Sequence, residues 1–248
     1  MKILVDAMGG DNAPLCVLQG VSQAAAEFGD GMELVLLGEE KAIRDCAKEN
    51  KIDLAPFEIF NCTETIDMHD DPVKAVRHKK DSSLVKGLTM LKNGEADAFV
   101  SAGSTGALLT GATLITKRVR GIRRAAMAPV MPTTTGRCVL IDCGANAECT
   151  PEYLVQFAFL GNFYAQRVLG VDRPRVALLN IGTEDSKGTD LQKQTLALLR
   201  QAGERGDLHF IGNIEAKEAI KGGCDVIVTD GFSGNILLKT MEGVGSFA

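Results

Sequence analysis

Residues 175–189 read RVALLNIGTEDSKGT, and the point where their apolarity stops decides the fold. Val176, Ala177, Leu178 and Leu179 form a continuous apolar run, which suits a strand buried on both faces of a parallel sheet. Asn180, Gly182, Thr183, Glu184, Asp185, Ser186, Lys187 and Gly188 follow at once, and a helix-forming segment starts near Thr189 and Asp190. Open α/β sheets bind ligands just outside the carboxyl ends of their strands, where helix N-termini point backbone N–H groups at anions. This loop offers small residues for close approach, side-chain hydrogen bonders and one cation, Lys187. Taken alone it also reads as an ordinary polar connection.

The same transition occurs four more times. Apolar runs at 2–5, 98–101, 139–142 and 226–229 lead into small, Gly-containing polar loops at 6–11, 101–107, 142–146 and 229–235. Further strands are expected at 33–37, 57–61 and 209–212. Helices are expected over 14–28, from 39 to about 50, within 66–93, over 108–119, over 151–169 and over 191–205, with a last one opening at Ile236. Asp70-Asp71-Pro72 and Asp81-Ser82-Ser83 read as helix starts. The segment 108–119 is nearly all apolar and is expected to be buried. Residues 130–135, with Pro132 and three Thr and with Pro129 just before them, read as a loop. Regular alternation of strand and helix predicts a three-layer α/β/α architecture with a mostly parallel sheet, as one domain over residues 1–248. In such a sheet the five loops share one edge and converge on one crevice. Gly allows close backbone approach, and Ser, Thr and Asn add neutral donors suited to phosphate or a developing oxyanion.

Composition narrows the partners. The 248 residues are long enough to bury roughly 70–75% of the unfolded surface. A net charge of −5 with no Trp argues against general nucleic-acid binding. Seven scattered Cys without a C-x-x-C pair fit free thiols in a reducing compartment, and no metal-ligand spacing is present. No run approaches the length of a membrane span, and MKILVDAMGG lacks the features of a signal peptide. No loop is a nucleotide fingerprint: residues 182–189 lack the second Gly of a P-loop, and no G-x-G-x-x-G follows a strand. No cofactor and no metal are expected.

Seven segments carry a family resemblance: VDAMGGD (5–11), AVRHKKDSSL (75–84), SAGSTGAL (101–108), IDCGAN (141–146), LVQFA (154–158), NIGTEDSKG (180–188) and TDGFSGN (229–235). Together they resemble the bacterial phosphate acyltransferases of phospholipid synthesis, the acyl-carrier-protein:phosphate acyltransferases. The resemblance implies a fold related to the isocitrate and isopropylmalate dehydrogenases, usually as a homodimer. It implies transfer of a long acyl chain from acyl carrier protein to inorganic phosphate in the cytoplasm. Ser104 stands where the family more often has Asn. A C-terminal part with an amphipathic, membrane-facing helix pair is expected beyond residue 248, and with it peripheral membrane contact.

Phosphate is itself a nucleophile, so positioning and charge stabilisation suffice without a covalent protein nucleophile. Lys187 is the first candidate, as the cation that meets phosphate or the forming oxyanion. Asn235 is the second, as a neutral donor that also stands where the last helix needs an N-cap. Asp230 is expected to orient Lys187 or accept a proton, or else simply to finish its strand. Substrate-binding candidates are Asp6, Gly9 and Gly10 in the first loop and Gly103, Ser104, Thr105 and Gly106 in the second. The remaining loops add Asp142 and Asn146, then Asn180, Gly182 and Glu184, and Gly234. Cys143 sits in a loop but has no neighbouring base in sequence, and His69 and His78 read as surface residues. The basic run Lys117-Arg118-Val-Arg120-Gly-Ile-Arg123-Arg124 fits docking of an acidic carrier protein, with Arg118, Arg120, Arg123 and Arg124 as the docking candidates; Arg77, Lys79 and Lys80 form a second patch. Two alternatives stand beside this reading. A metal- and NAD-dependent decarboxylating dehydrogenase would use Asp142, Asp185 and Asp230 as ligands. A non-catalytic carrier or lipid scaffold would keep only the anion loops.

Overall fold

The computed structural model describes residues 1–246. They divide into two compact units, Met1–Val119 and one that starts at Arg120. Each unit has its own sheet, so the expectation of one continuous sheet is corrected to two.

The first unit contains β1 (Lys2–Asp6), α1 (Leu15–Phe28), β2 (Glu33–Gly38), α2 (Glu40–Glu49) and β3 (Glu58–Asn61). It continues with α3 (Pro72–His78), α4 (Ser83–Asn93), β4 (Ala98–Val100) and α5 (Thr105–Gly111). Its strands are all parallel, in the order β3-β2-β1-β4. Successive side chains of a strand alternate between faces. Val5, Leu34 and Leu36 accordingly join Leu18, Val21 and Ile43 from α1 and α2, while Leu4, Val35 and Leu37 face the side that carries Met90 of α4. The chain runs outward from β1 to β3 and then crosses to β4 on the other side of β1. The topological switch point therefore lies between β1 and β4, where the loops 6–11 and 101–104 emerge. Asp71 and Ser82 cap α3 and α4 through Lys74 N and Val85 N, as the sequence suggests.

The second unit contains β5 (Val130–Thr133), β6 (Gly136–Ile141), α6 (Pro151–Arg167), β7 (Val176–Leu179), α7 (Asp190–Glu204) and β8 (Phe210–Ile214). The short α8 (Ala216–Glu218), β9 (Val226–Val228) and α9 (Gly231–Gly245) complete it. The strand order is β5-β6-β9-β7-β8, parallel apart from the β5/β6 pair. Val139, Ile141, Val176, Leu178, Val226 and Val228 pack under Leu154 and Phe157 of α6 and Leu199 of α7. Leu140, Ala177 and Ile227 point to the opposite face, against Ala219, Leu237 and Leu238. Each unit is thus a three-layer α/β/α sandwich. Because β6, β9 and β7 are parallel neighbours, their three following loops lie side by side at one sheet edge.

Three local expectations need correcting. Residues 130–133 form β5 instead of a loop: as an edge strand paired only with β6, it tolerates Pro132 within the ladder. The apolar segment after residue 107 is not a buried helix to residue 119. The helix starts at Thr105, widens to a π-helical turn over Ala112–Thr116 and stops at Lys117, whose φ is 71°. It packs against α3 and α4, and Leu114 and Val119 remain 48% and 76% exposed. The last helix begins at Gly231, five residues before Ile236, and runs for 15 residues.

Candidate active site

In the first unit, Asp6 ends β1 with a buried carboxylate. Ser101 Oγ donates to Asp6 Oδ2 at 2.7 Å, Met8 N donates to Oδ1 at 3.1 Å, and Gly103 N donates to Ser101 Oγ at 3.1 Å. These bonds tie the β1 and β4 loops together across the switch point. A side chain at Gly9 would fall 2.6 Å from Asp6 Oδ2 and 2.8 Å from Gly103 N, so only glycine allows that approach. Gly10 lies against Ala102. Ser104 caps α5 by accepting from Ala107 N, and Thr105 and Gly106 open that helix. These six candidates plus Gly10 are therefore brought to one sheet edge.

In the second unit, Asp142 is completely buried and holds two loops in place. Its Oδ1 accepts from Met127 N (2.9 Å) and Cys143 N (2.6 Å); its Oδ2 accepts from Asn146 N (2.7 Å) and Asn146 Nδ2 (2.8 Å). Asn146 Nδ2 also donates to Ala125 O. The β6 and β9 loops interlock through Gly231 N to Asn146 O (2.8 Å) and Gly144 N to Gly231 O (2.9 Å). Gly234 passes so close to the Asp142 carbonyl that a Cβ there would sit 2.0 Å from its oxygen. Asp142 and Gly234 are thus framework residues of the edge.

Asp230 does not orient Lys187. It is the N-cap of α9, accepting from Ser233 N at 2.8 Å and Ser233 Oγ at 3.0 Å. That displaces Asn235 from the capping role expected of it, because an Asp one residue before the first helical turn takes the free N–H groups first. Asn235 lies in the second turn, exposed, with Oδ1 4.0 Å from the Cys143 thiol. Among the described residues its Nδ2 has no partner.

The loop after β7 is pinned at several points. Asn180 Oδ1 accepts from Ile181 N, and Asn180 Nδ2 donates to Lys187 O. Glu184 O accepts from Lys187 N at 3.1 Å, and Asp185 pairs with Arg200 of α7 through both guanidinium nitrogens. Gly188 has φ +86°, a left-handed conformation at which a Cβ would strike Asn180. Thr189 and Gln192 close a capping box at the start of α7. Gly182 is buried beneath the Glu184 carboxylate and the Lys187 stem. Lys187 itself is exposed, and among the described residues its ammonium has no hydrogen-bond or ion-pair partner.

Asp142, Asp185 and Asp230 do not gather as metal ligands: one is saturated by N–H donors, one is paired with Arg200 and one caps a helix. Among the described residues no group of three His, Cys, Asp or Glu is placed to hold a metal. Burial, with Asp142 nearby, raises the Cys143 thiol above its usual range, and burial pushes Cys149 to about 11, the opposite of what a thiolate nucleophile requires. His69 and His78 are exposed. In the basic run, Arg123 pairs with Glu152 and Arg124 lies 5.6 Å over the Tyr153 ring, while Lys79 in the second patch is held by Asp70. No helix of the described residues is long and apolar enough to cross a membrane.

Sequence reading missed Asn213 on β8, whose Nδ2 donates to Glu184 O at 3.2 Å, and the backbone of 125–127, which meets Asp142 and Asn146. Only a polar residue next to Gly212 inside an apolar strand hinted at the first.

Comparison with known proteins shows what the chain is similar to. The family model described as "Fatty acid synthesis protein" matches residues 1–248. A phosphate acyltransferase from Bacillus licheniformis is 49% identical over 244 residues, which is 98% of this chain and 71% of that one. One from Listeria monocytogenes is 47% identical over 247 residues, with the same 71% share of its length. Among solved structures, the EutD phosphotransacetylase from Staphylococcus aureus superposes with a TM-score of 0.72 at 24% identity, covering 99% of this chain and 82% of that one. A 4-hydroxythreonine-4-phosphate dehydrogenase from Burkholderia phymatum does so at 0.57 and 13%, covering 97% and 83%, which places the fold among dehydrogenase-like α/β proteins. The chain belongs to the bacterial phosphate acyltransferase family.

Proposed function

We propose that this acyltransferase moves a fatty acyl group from the thioester of acyl carrier protein to inorganic phosphate, with Lys187 as the cation that meets phosphate and the forming oxyanion. The observation that carries this reading is an ammonium without a partner among the described residues, on a loop whose backbone is otherwise fastened by Asn180, Asn213 and the Asp185–Arg200 pair. A loop cation left unneutralised by its own fold is available to an anion. The name carried by the relatives and the fatty-acid-synthesis family model support the acyl and phosphate parts.

A phosphate oxygen attacks the thioester carbonyl carbon, forming the C–O bond. The carbonyl oxygen becomes negative, then the C–S bond breaks and the carrier thiolate leaves to take a proton from solvent. Lys187 and the free Nδ2 of Asn235 stabilise the charge; Asp142 and Asp230 hold the β6 and β9 loops on the Asn235 side, and Asn180, Asn213 and the Asp185–Arg200 pair hold the loop of Lys187. Acyl carrier protein docks on the basic run at Arg118, Arg120, Arg123 and Arg124. The same reading takes the working protein as a cytoplasmic homodimer that delivers acyl phosphate at the membrane.

The test is release of carrier thiol that depends on added phosphate. Lys187→Ala should lower turnover by about 10²–10³, the factor expected for loss of one preorganised charge-stabilising donor. Phosphate-independent release, or a variant indistinguishable from the parent, would refute the assignment.

A further inference from the structure

We propose that Asn213 is a positioning residue for phosphate use, acting through the Lys187 loop; the proposal rests on the reading of Lys187 above. Asn213 lies on the edge strand β8, in register with Leu178 of β7. The ladder slips one residue just before it: Val176 pairs with Phe210 but Ala177 pairs with Gly212, so Ile211 is skipped. Gly212 takes φ +100° at this irregularity, and Ile211 is left exposed. A skipped residue reverses the facing of every side chain beyond it. The slip is therefore what aims the Asn213 amide at the loop.

The aim comes at a cost to the fold. Asn213 Nδ2 donates to Glu184 O at 3.2 Å, yet its Oδ1 is buried with no partner among the described residues. Asn213 is only half-buried, but an enclosed amide oxygen without a partner is less favourable than apolar atoms in the same place. Glu184 O already accepts from Lys187 N, so it would not be orphaned without Asn213. Stability alone therefore does not call for an amide at this position. Its one bond fixes the carbonyl that anchors the turn carrying Lys187, three residues on, and so fixes where the Lys187 stem leaves the backbone.

The experiment uses Asn213→Leu and Asn213→Asp in the whole chain, with phosphate-dependent thiol release as the assay and thermal unfolding alongside. Asn213→Leu should keep or raise Tm while lowering kcat/KM for phosphate about fivefold, the factor a single hydrogen bond carries, with KM for the acyl donor unchanged. Asn213→Asp, which sets an oxygen against the Glu184 carbonyl, should lower it at least as much. In a Lys187→Ala background neither change should lower activity further. An Asn213→Leu protein with unaltered phosphate kinetics overturns the proposal, as does a loss that adds to that of Lys187→Ala or that tracks a fall in Tm. If Lys187→Ala is itself without effect, the reading of Lys187 fails instead, whatever Asn213 does.

Discussion

Replacing Asp142 by Asn changes almost no volume but removes half of the acceptor capacity that holds the β6 and β9 loops. The carboxylate receives four hydrogen bonds while fully buried: Met127 N and Cys143 N on Oδ1, Asn146 N and Nδ2 on Oδ2. An Asn amide has one oxygen and one NH₂. With its oxygen toward Met127 and Cys143, the NH₂ confronts Asn146 N, and the Asn146 side chain keeps only Ala125 O. In the reverse orientation two backbone N–H groups are stranded. The better case leaves one buried backbone N–H unsatisfied and loses two charge-assisted bonds, so Asp142→Asn should destabilise the protein by about 3 kcal/mol. At about 2–4 °C per kcal/mol for a chain of this length, Tm should fall by about 6–12 °C. Asp142→Ala strands the backbone N–H groups of Met127, Cys143 and Asn146, leaves the Asn146 amide only Ala125 O, and should reach about 4–5 kcal/mol, the upper end for single substitutions. Urea unfolding followed by circular dichroism measures both, with the midpoint falling and the slope preserved. An Asp142→Asn protein within about 0.5 kcal/mol of the parent, the range of a neutral surface change, would show that these four bonds do not hold the edge together.

Cys143→Ser should retain most activity, and no radiolabelled acyl chain should remain on the denatured parent; acyl trapped on Cys143 would replace direct attack with a two-step route. The Asp81 carboxylate is held at about 2 by hydrogen bonds from Lys86 and from Thr63. A carboxylate with a depressed folded-state pKa stabilises above its unfolded value and loses that contribution as pH falls through the folded one. Stability should therefore drop between about pH 4 and pH 2, and Asp81→Asn should flatten that part of an acid titration. Reversing Arg123 and Arg124 to Glu sets charge against Glu152 and weakens attraction to an acidic carrier. KM for acyl carrier protein should rise several-fold with KM for phosphate unchanged, and the difference should narrow at high salt. Equal KM values in parent and variant would reduce the run to a solvated surface.

Strand-end loops were legible because they rest on contrast along the chain. Val176–Leu179 is uniformly apolar and Asn180–Gly188 is small or polar apart from Ile181, so the boundary between them is a local property. Period and contrast likewise sufficed for α7 and for the Asp71 and Ser82 caps, whose partners lie three residues away. The helix start at Gly231 escaped because two glycines looked like loop; the Asp230 cap and the tight fit of Gly234 on Asp142 outweigh their low helix propensity.

By itself, then, the chain determined the alternation of layers, the five polar loops and Lys187 as their lone cation after β7, since each follows from neighbours within a few residues. Long-range contact alone decided the rest. The division into two sheets depends on which strands exchange ladder hydrogen bonds, and an apolar run carries no label for its partner. The conversion of Asp142 from candidate ligand to buried anchor depends on Met127, fifteen residues before it. The hold on the Lys187 loop depends on Asn213, 29 residues beyond Glu184, and on a one-residue slip in an edge strand. Side-chain type states which bonds a residue can make; only packing states which of them the fold has already used, and so which remain for a ligand.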